Sequence, residues 1–266
     1  MVFETSLPQL DHSFDYLVPA ELKPLAVAGV RVIAPVGRGK QLLDGYIIAL
    51  NDTSEFAGKL QEIAEIISPL PVLTSSVLEL CRQVARRQAV TLGEVLKTAV
   101  PARAVRTEQS WLKLDAKQAP GDLSLKGSNQ QSKSSREAQL HYLQTSTDAI
   151  QTSDALIPSW CERFLERAKT QLEQGKSVIV ALPDFRDFNV FHQLALTRFG
   201  NLVIDYRSDQ TRSRRYESFL RALATGASLI VGNRNVLYAP IENLGEIQLW
   251  EDGDPAYQDQ SSPYLH

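Results

Sequence analysis

The sequence has no G-x-x-x-x-G-K-[ST] anywhere, so no glycine-rich loop of backbone N–H groups is available to cradle a nucleotide's phosphates. Metal-ligand spacing is equally absent. The four histidines, His12, His141, His192 and His266, are scattered, and no Ser-His-Asp or Cys-His constellation can be assembled. The two cysteines, Cys81 and Cys161, fall on predicted helices without a C-x-x-C partner and read as reduced, small hydrophobes of a cytosolic protein. No run of 18 or more apolar residues exists, so no membrane span is expected. Met1-Val2-Phe3-Glu4 lacks the basic and apolar regions of a signal peptide. A formal charge of −3 and a pI near 5.9 exclude coating nucleic acid by bulk electrostatics, so any such contact must be a local site.

What is present divides in three. At 266 residues two domains and a sizeable core are expected, of α/β class overall. Residues 1–104 read as a small β-rich unit followed by two helices. Its short β-favouring runs, 31–36, 46–50 and 60–67, are separated by Gly-rich and Asn-Asp turns. Ser76-Val77-Leu78-Glu79 and Thr91-Leu92-Gly93-Glu94 are capping boxes, each opening an amphipathic stretch. Residues 105–155 are read as a polar linker. From about Lys117 to Asp154, Gln, Ser, Thr and Lys dominate, and such a composition buries too little to repay its ordering entropy. From 156 to 266 the pattern becomes βα alternation, with a third capping box at Ser159. Strands are expected at 177–182, 202–204, 229–231 and 247–250, and helices at 188–198 and 213–224. Strands separated by helices of this length predict a parallel sheet.

Five stretches in order resemble the primosomal replication-restart helicases (primosomal protein N′, the PriA family). They are Phe14-Asp15-Tyr16-Leu17-Val18-Pro19, then Val30-Arg31-Val32-Ile33-Ala34-Pro35-Val36-Gly37-Arg38-Gly39-Lys40, then Leu92-Gly93-Glu94-Val95-Leu96 through Val100-Pro101. Gln174-Gly175-Lys176 into the following strand is similar to the family's helix end after the phosphate loop. Val231-Gly232-Asn233-Arg234-Asn235-Val236-Leu237-Tyr238-Ala239-Pro240, with Asn243-Leu244-Gly245, is similar to its G-T-R-S-A-x-F-A-P-x-x-N-L-G signature. The resemblance implies an N-terminal domain that binds the 3′ end of a DNA strand, then a RecA-like parallel α/β helicase lobe. Between them it implies a winged-helix domain, of which 105–155 would be a vestige. The family's zinc site is expected beyond the end of this chain, and no cofactor is expected within it.

Counting back from Gln174-Gly175-Lys176, the family's phosphate loop falls on Asp154 to Cys161. Trp160 then replaces the lysine and Cys161 the magnesium-holding hydroxyl, and both glycines are gone. In Leu249-Trp250-Glu251-Asp252-Gly253-Asp254, Trp250 stands where an Asp would hold Mg²⁺, beside Glu251 at the water-orienting position. An indole cannot ligate a hard cation. Glu251, Asp252 and Asp254 read as solvated carboxylates ending a strand. Actinobacterial members of the family look similarly degenerate and are thought to lack helicase activity.

The matching Phe14, Asp15 and Gly37 would line the pocket for the terminal 3′ nucleotide. A carboxylate accepts from a hydroxyl, an aromatic packs, and a glycine lets backbone N–H approach. The residues alone favour Phe14 as strand core and Asp15 as a turn former, and it is the resemblance that reverses this. The family's lysine near the third strand appears as Gln61, leaving Lys59 the nearest basic group. Arg38 and Lys40 flank Gly39 as phosphate contacts would. Arg212, Arg214 and Arg215 could be a further backbone contact or a solvated face. The resemblance implies a cytoplasmic, nucleoid-associated protein acting in replication restart without ATP-driven unwinding. Branched or 3′-ended DNA, single-strand-binding protein and the replicative helicase loader would be its partners. The alternative of another class is a primosome scaffold with no DNA-end recognition.

Overall fold

Val30, Val32 and Ala34 alternate along one strand and are fully buried, and the intervening Arg31 is buried too, so this strand is covered on both faces. The computed structural model that places it describes residues 1–37, 39–118, 149–151, 156–224 and 226–258. The strand is β2 (Val30–Val36) of an antiparallel sheet ordered β1-β3-β2-β4, with β1 Val2–Phe3, β3 Gln41–Tyr46 and β4 Glu65–Pro71. One face of β2 packs on Phe3, Ile47 and Ile63, with Phe14, Tyr16 and Val18 closing the edge of that cluster.

Two strands sit elsewhere than their composition suggests. The apolar run 46–50 contributes only Tyr46 to β3. The strand is instead the half-exposed Gln41–Tyr46, held in register by Val36↔Gln41 through Arg31↔Tyr46. Likewise β4 begins at Glu65 rather than near residue 60. In both cases long-range pairing overrides local β propensity.

Helix α1 (Ser75–Gln88) is capped two residues earlier than the Ser76 box suggests: Thr74 Oγ1 accepts from Val77 N at 3.3 Å. Helix α2 (Leu92–Ala99) does have the expected capping box of Thr91 and Glu94. Gly93 is obligatory there, because a Cβ would meet the Thr5 carbonyl oxygen at 2.2 Å. Helix α3 (Val105–Gln118) occupies the start of the stretch that composition assigns to the linker. Most of that stretch lies outside the described residues, apart from the short antiparallel pair β5 (Ala149–Gln151) and β6 (Leu156–Pro158).

Helix α4 (Ser159–Glu173) starts directly at Ser159 with Pro158 at its N-cap. The parallel sheet follows, ordered β10-β7-β9-β8, from β7 (Ser177–Ala181), β8 (Val203–Asp205), β9 (Leu229–Gly232) and β10 (Leu244–Leu249). Helices α5 (Phe185–Phe199) and α6 (Arg212–Ala224) connect it. Every residue of β7 is buried, as expected of a strand covered on both faces. Val178 and Val180 face the α4–α5 side with Trp160, Phe164 and Phe191. Ile179 and Ala181 face the other side, where Tyr216 and Phe219 of α6 share one core with Val77, Cys81, Val95 and Leu96 of α1 and α2, and with Val2 and Tyr46. The N-terminal unit therefore supplies part of one covering layer of the parallel sheet.

A polar seam runs along the same contact. Buried Arg31 donates to the Tyr46 hydroxyl at 2.8 Å and to the Pro101 carbonyl at 3.2 Å, and Tyr46 donates to Glu4 at 3.0 Å. Burial opposes the charge of Arg31, but Tyr46 and Glu4 more than offset it and hold its pKa above the ordinary value. On α3, buried Glu108 accepts from Arg103 Nε and Nη2, at 3.0 and 2.7 Å, and from the hydroxyl of Tyr216 on α6.

Candidate functional site

The segment 14–18 runs beside residues 61–63. Leu17 N donates to Gln61 O at 2.8 Å and Ile63 N donates to Leu17 O at 3.1 Å. Between this segment and the loop 49–54 lies a groove of about 420 Å³, lined among others by Phe14, Asp15, Lys23, Asp52 and Ser54. Phe14 is half-buried and anchored on both sides. Its N–H donates to the Met1 carbonyl at 2.9 Å, and its ring meets Phe3 edge-on at 5.3 Å. Asp15 is exposed, with Oδ2 accepting from Ser54 Oγ at 2.5 Å, while the same Oγ accepts from Phe56 N at 3.1 Å. The carboxylate is thus positioned by a hydroxyl that is itself fixed by the loop. Among the described residues Asp15 Oδ1 has no partner, so it remains open to a hydroxyl or amino donor.

The remaining residues expected at this site are elsewhere. Gly37 sits in the β2–β3 turn at φ +68°, a left-handed conformation that favours glycine. Lys40 closes that turn at φ +52°, its N–H 3.4 Å from the Gly37 carbonyl. Neither lines the groove, although the Tyr16 hydroxyl donates to Pro35 O at 2.6 Å and ties the groove segment to the base of the turn. Arg38 lies outside the described residues. Lys59 is exposed and adjoins Leu60, which does line the groove. Nothing local in the sequence marks Lys23 or Ser54 as part of this groove. Asn51-Asp52 signals only a turn there, and the turn's approach to Asp15 spans 39 residues.

The two positions counted as phosphate lysine and magnesium aspartate do come together, as a pair of stacked indoles. Trp160 and Trp250 have ring centroids 4.4 Å apart at 14°, with Phe191 stacked on Trp160 at 5.8 Å and Phe164 edge-on to both. Trp250 Nε1 donates to Asp187 Oδ2 at 3.0 Å. Burial holds the Asp187 carboxyl above the ordinary carboxylate range despite that bond. Cys161 is fully buried, its thiol pushed up to about 12, first by burial and then by Asp187 and Glu162. β6 pairs antiparallel with β5 rather than joining the parallel sheet, so α4 does not follow a sheet strand through a loop.

At the strand ends, Tyr257 Oη lies 2.7 Å from the Ala181 carbonyl and 2.8 Å from that of Trp250. Glu251 is exposed at φ +50°, and Asp254 caps Ala256 N at 2.7 Å. Among the described residues no group of three or more His, Cys, Asp or Glu is arranged to hold a metal. Arg212 donates to the Arg103 carbonyl at 2.6 Å, so that guanidinium serves the α3–α6 contact. No helix among the described residues is long and apolar enough to cross a membrane.

A family model described as the 3′ DNA-binding domain of PriA matches residues 4–101, the stretch that holds the groove. Over 98% of its length the chain is 32% identical to a probable replication restart protein PriA of Mycobacterium tuberculosis, and equally to that of Mycobacterium leprae. It is 26% identical over 97% of its length to the replication restart protein PriA of Treponema pallidum. The chain spans about 40% of the length of these relatives.

Proposed function

The chain belongs to the PriA replication-restart family, and from that premise we propose that its N-terminal unit binds the 3′-hydroxyl end of a DNA strand in the groove of Phe14 and Asp15, in the service of replication restart. One observation carries the reading: an exposed carboxylate, held by Ser54 beside a half-buried aromatic ring, inside the segment matched to the 3′ DNA-binding family. The ring packs on the terminal sugar or base, and Asp15 Oδ1 accepts from the 3′ hydroxyl. Lys23 at the groove, with the exposed Lys59 and Lys40, supplies cations for the phosphates. Branched DNA, single-strand-binding protein and the helicase-loading machinery are the partners this role calls for.

In the same reading the lobe works without ATP. Phosphoryl transfer depends on positioned donors and a metal around the γ-phosphate. Here the facing positions hold packed indoles, which offer neither. The lobe's part is mechanical support of the N-terminal unit.

The test is binding of DNA ends by the full chain, followed by anisotropy. A free 3′ hydroxyl is expected to bind at least tenfold tighter than a 3′ phosphate. The phosphate puts negative charge beside Asp15 and removes the donor, and a hydrogen bond to a charged group is worth about 1.5–3 kcal/mol. Asp15→Ala abolishes this preference, and ATP neither alters binding nor is hydrolysed. Equal binding of both ends by the unaltered protein refutes end recognition. DNA-stimulated phosphate release that disappears in Glu251→Gln refutes the silent lobe.

A further inference from the structure

A second and larger cavity, about 920 Å³, lies between residues 6–13 and the C-terminal half of α1. His12 lines this cavity and Phe14 lines the first groove, and their rings pack with centroids 4.0 Å apart at 32°. The two depressions therefore meet across one aromatic pair. Arg82 and Arg86 also line the second cavity. They are one helical turn apart on α1, which puts them on one face, and both are exposed.

The carboxylates at this cavity are committed to the fold. Asp11 Oδ1 accepts from Leu92 N at 2.8 Å. Glu94 Oε2 accepts from the N–H and the hydroxyl of Thr91, each at 3.0 Å. Glu79 reaches Arg82 only at 3.8 Å and accepts a closer bond, 2.7 Å, from Gln83. Arg86 makes no ion pair among the described residues. The groups left available are thus two guanidiniums and an aromatic face, the combination that receives a single nucleic-acid strand.

We propose that this second groove carries the strand whose 3′ end sits in the first. Its bases lie against the His12–Phe14 pair and its phosphates against Arg82 and Arg86. The assignment rests on the 3′-end reading but concerns different residues and a different property, the dependence on strand length.

The experiment uses the full chain and 5′-labelled oligothymidylates of two and eight nucleotides, each with a 3′ hydroxyl or a 3′ phosphate. The unaltered protein is expected to bind the octamer more tightly than the dimer. The double variant Arg82→Gln/Arg86→Gln loses about tenfold affinity for the octamer and little for the dimer, and keeps the preference for the 3′ hydroxyl. Two phosphate contacts fewer lower the salt slope of octamer binding by about 1.4, at roughly 0.7 per contact for a single strand. Both arginines are exposed, so the variant's melting temperature stays within about 2 °C of the parent's.

A 3′-hydroxyl preference without any gain from length overturns the groove and leaves the end reading standing. Equal weakening of dimer and octamer in the variant also overturns it, by moving the arginines to the end site. Oligoglutamate that binds as tightly as the octamer, and loses binding in the same variant, overturns it in favour of an acidic protein partner. Failure of the unaltered protein to bind any of the four oligonucleotides removes the end reading and this proposal together.

Discussion

Replacing Glu108 by alanine tests whether the N-terminal unit and the lobe unfold as one body. The side chain is 1% exposed and its two oxygens serve different elements: Oε1 takes Arg103, which precedes α3, and Oε2 takes Tyr216 of α6. Alanine costs α3 nothing in helix propensity. It does leave the Tyr216 hydroxyl unpaired in the core, together with a guanidinium whose side chain is only 20% exposed. Breaking one partner out of a buried pair costs about 3–5 kcal/mol. Whole domains are stable by only about 5–15 kcal/mol, so the loss is a large fraction of the total. At roughly 2–4 °C per kcal/mol for a chain of this size, the midpoint falls by about 6–20 °C.

Tyr216→Phe costs less, about 1.5–3 kcal/mol, because Glu108 keeps Arg103. The double variant falls short of the sum, since the hydroxyl stranded by the first change is removed by the second. Urea unfolding is followed by circular dichroism, which reports on both sheets, and by fluorescence, which reports on Trp111, Trp160 and Trp250. One transition with an unchanged slope and a lowered midpoint is expected. A loss under about 1 kcal/mol, or a lobe transition separated from that of the N-terminal sheet, refutes the reasoning.

Cys81 and Cys161 are buried, with thiols pushed up to about 12 by burial, so neither reacts with an aromatic disulfide reagent at pH 8 until denaturant is added; rapid labelling of the native chain contradicts their placement. His192 stacks on Phe188 at 5.1 Å, and burial lowers its pKa from the ordinary 6.5. The unfolded chain therefore takes up the proton first. The stability this residue contributes is lost as pH falls from 6.5 through its folded value. Unfolding midpoints of the parent and His192→Gln between pH 7.5 and 5 should diverge in that window, and parallel curves contradict the assignment.

The sequence is a good guide wherever the signal is local. Thr91 and Glu94 are three residues apart, and the capping box they form needs nothing else. Strands β7, β8 and β9 are legible from their apolar runs, which are buried, whereas β10, at the sheet's edge with Ile247 and Leu249 half exposed, begins at Leu244, three residues before its apolar run suggests. The hairpin strand Gln41–Tyr46 was not, since it exposes Gln41, Leu42 and Asp44 and is fixed only by pairing with β2. Helix α3 is hidden for a similar reason. Its composition is polar, and what holds it is a glutamate whose partner on α6 is 108 residues away. At the sites, Phe14 and Asp15 could be named because the motif is contiguous. Lys23, Ser54, Arg82 and Arg86 could not, because loops and a helix distant in sequence bring them in. Trp160 and Trp250 were located by position, but their stacking depends on the packing of α4 against β7 and β10.

The two faces of the parallel sheet have unequal freedom to change. The face under α4 and α5 ends in an aromatic cluster that, among the described residues, packs within its own lobe. The face under α6 is continuous with Tyr46 and, through Arg31, with the strand whose hairpin partner leads back toward Phe3 and Phe14. A change of residue on the first face is absorbed where it occurs, by repacking among rings. On the second it is passed along a chain of buried contacts to the N-terminal sheet. The side of the lobe under α4 and α5 is therefore the freer of the two to vary in sequence, while the side under α6 is pinned by the sheet it shares its core with.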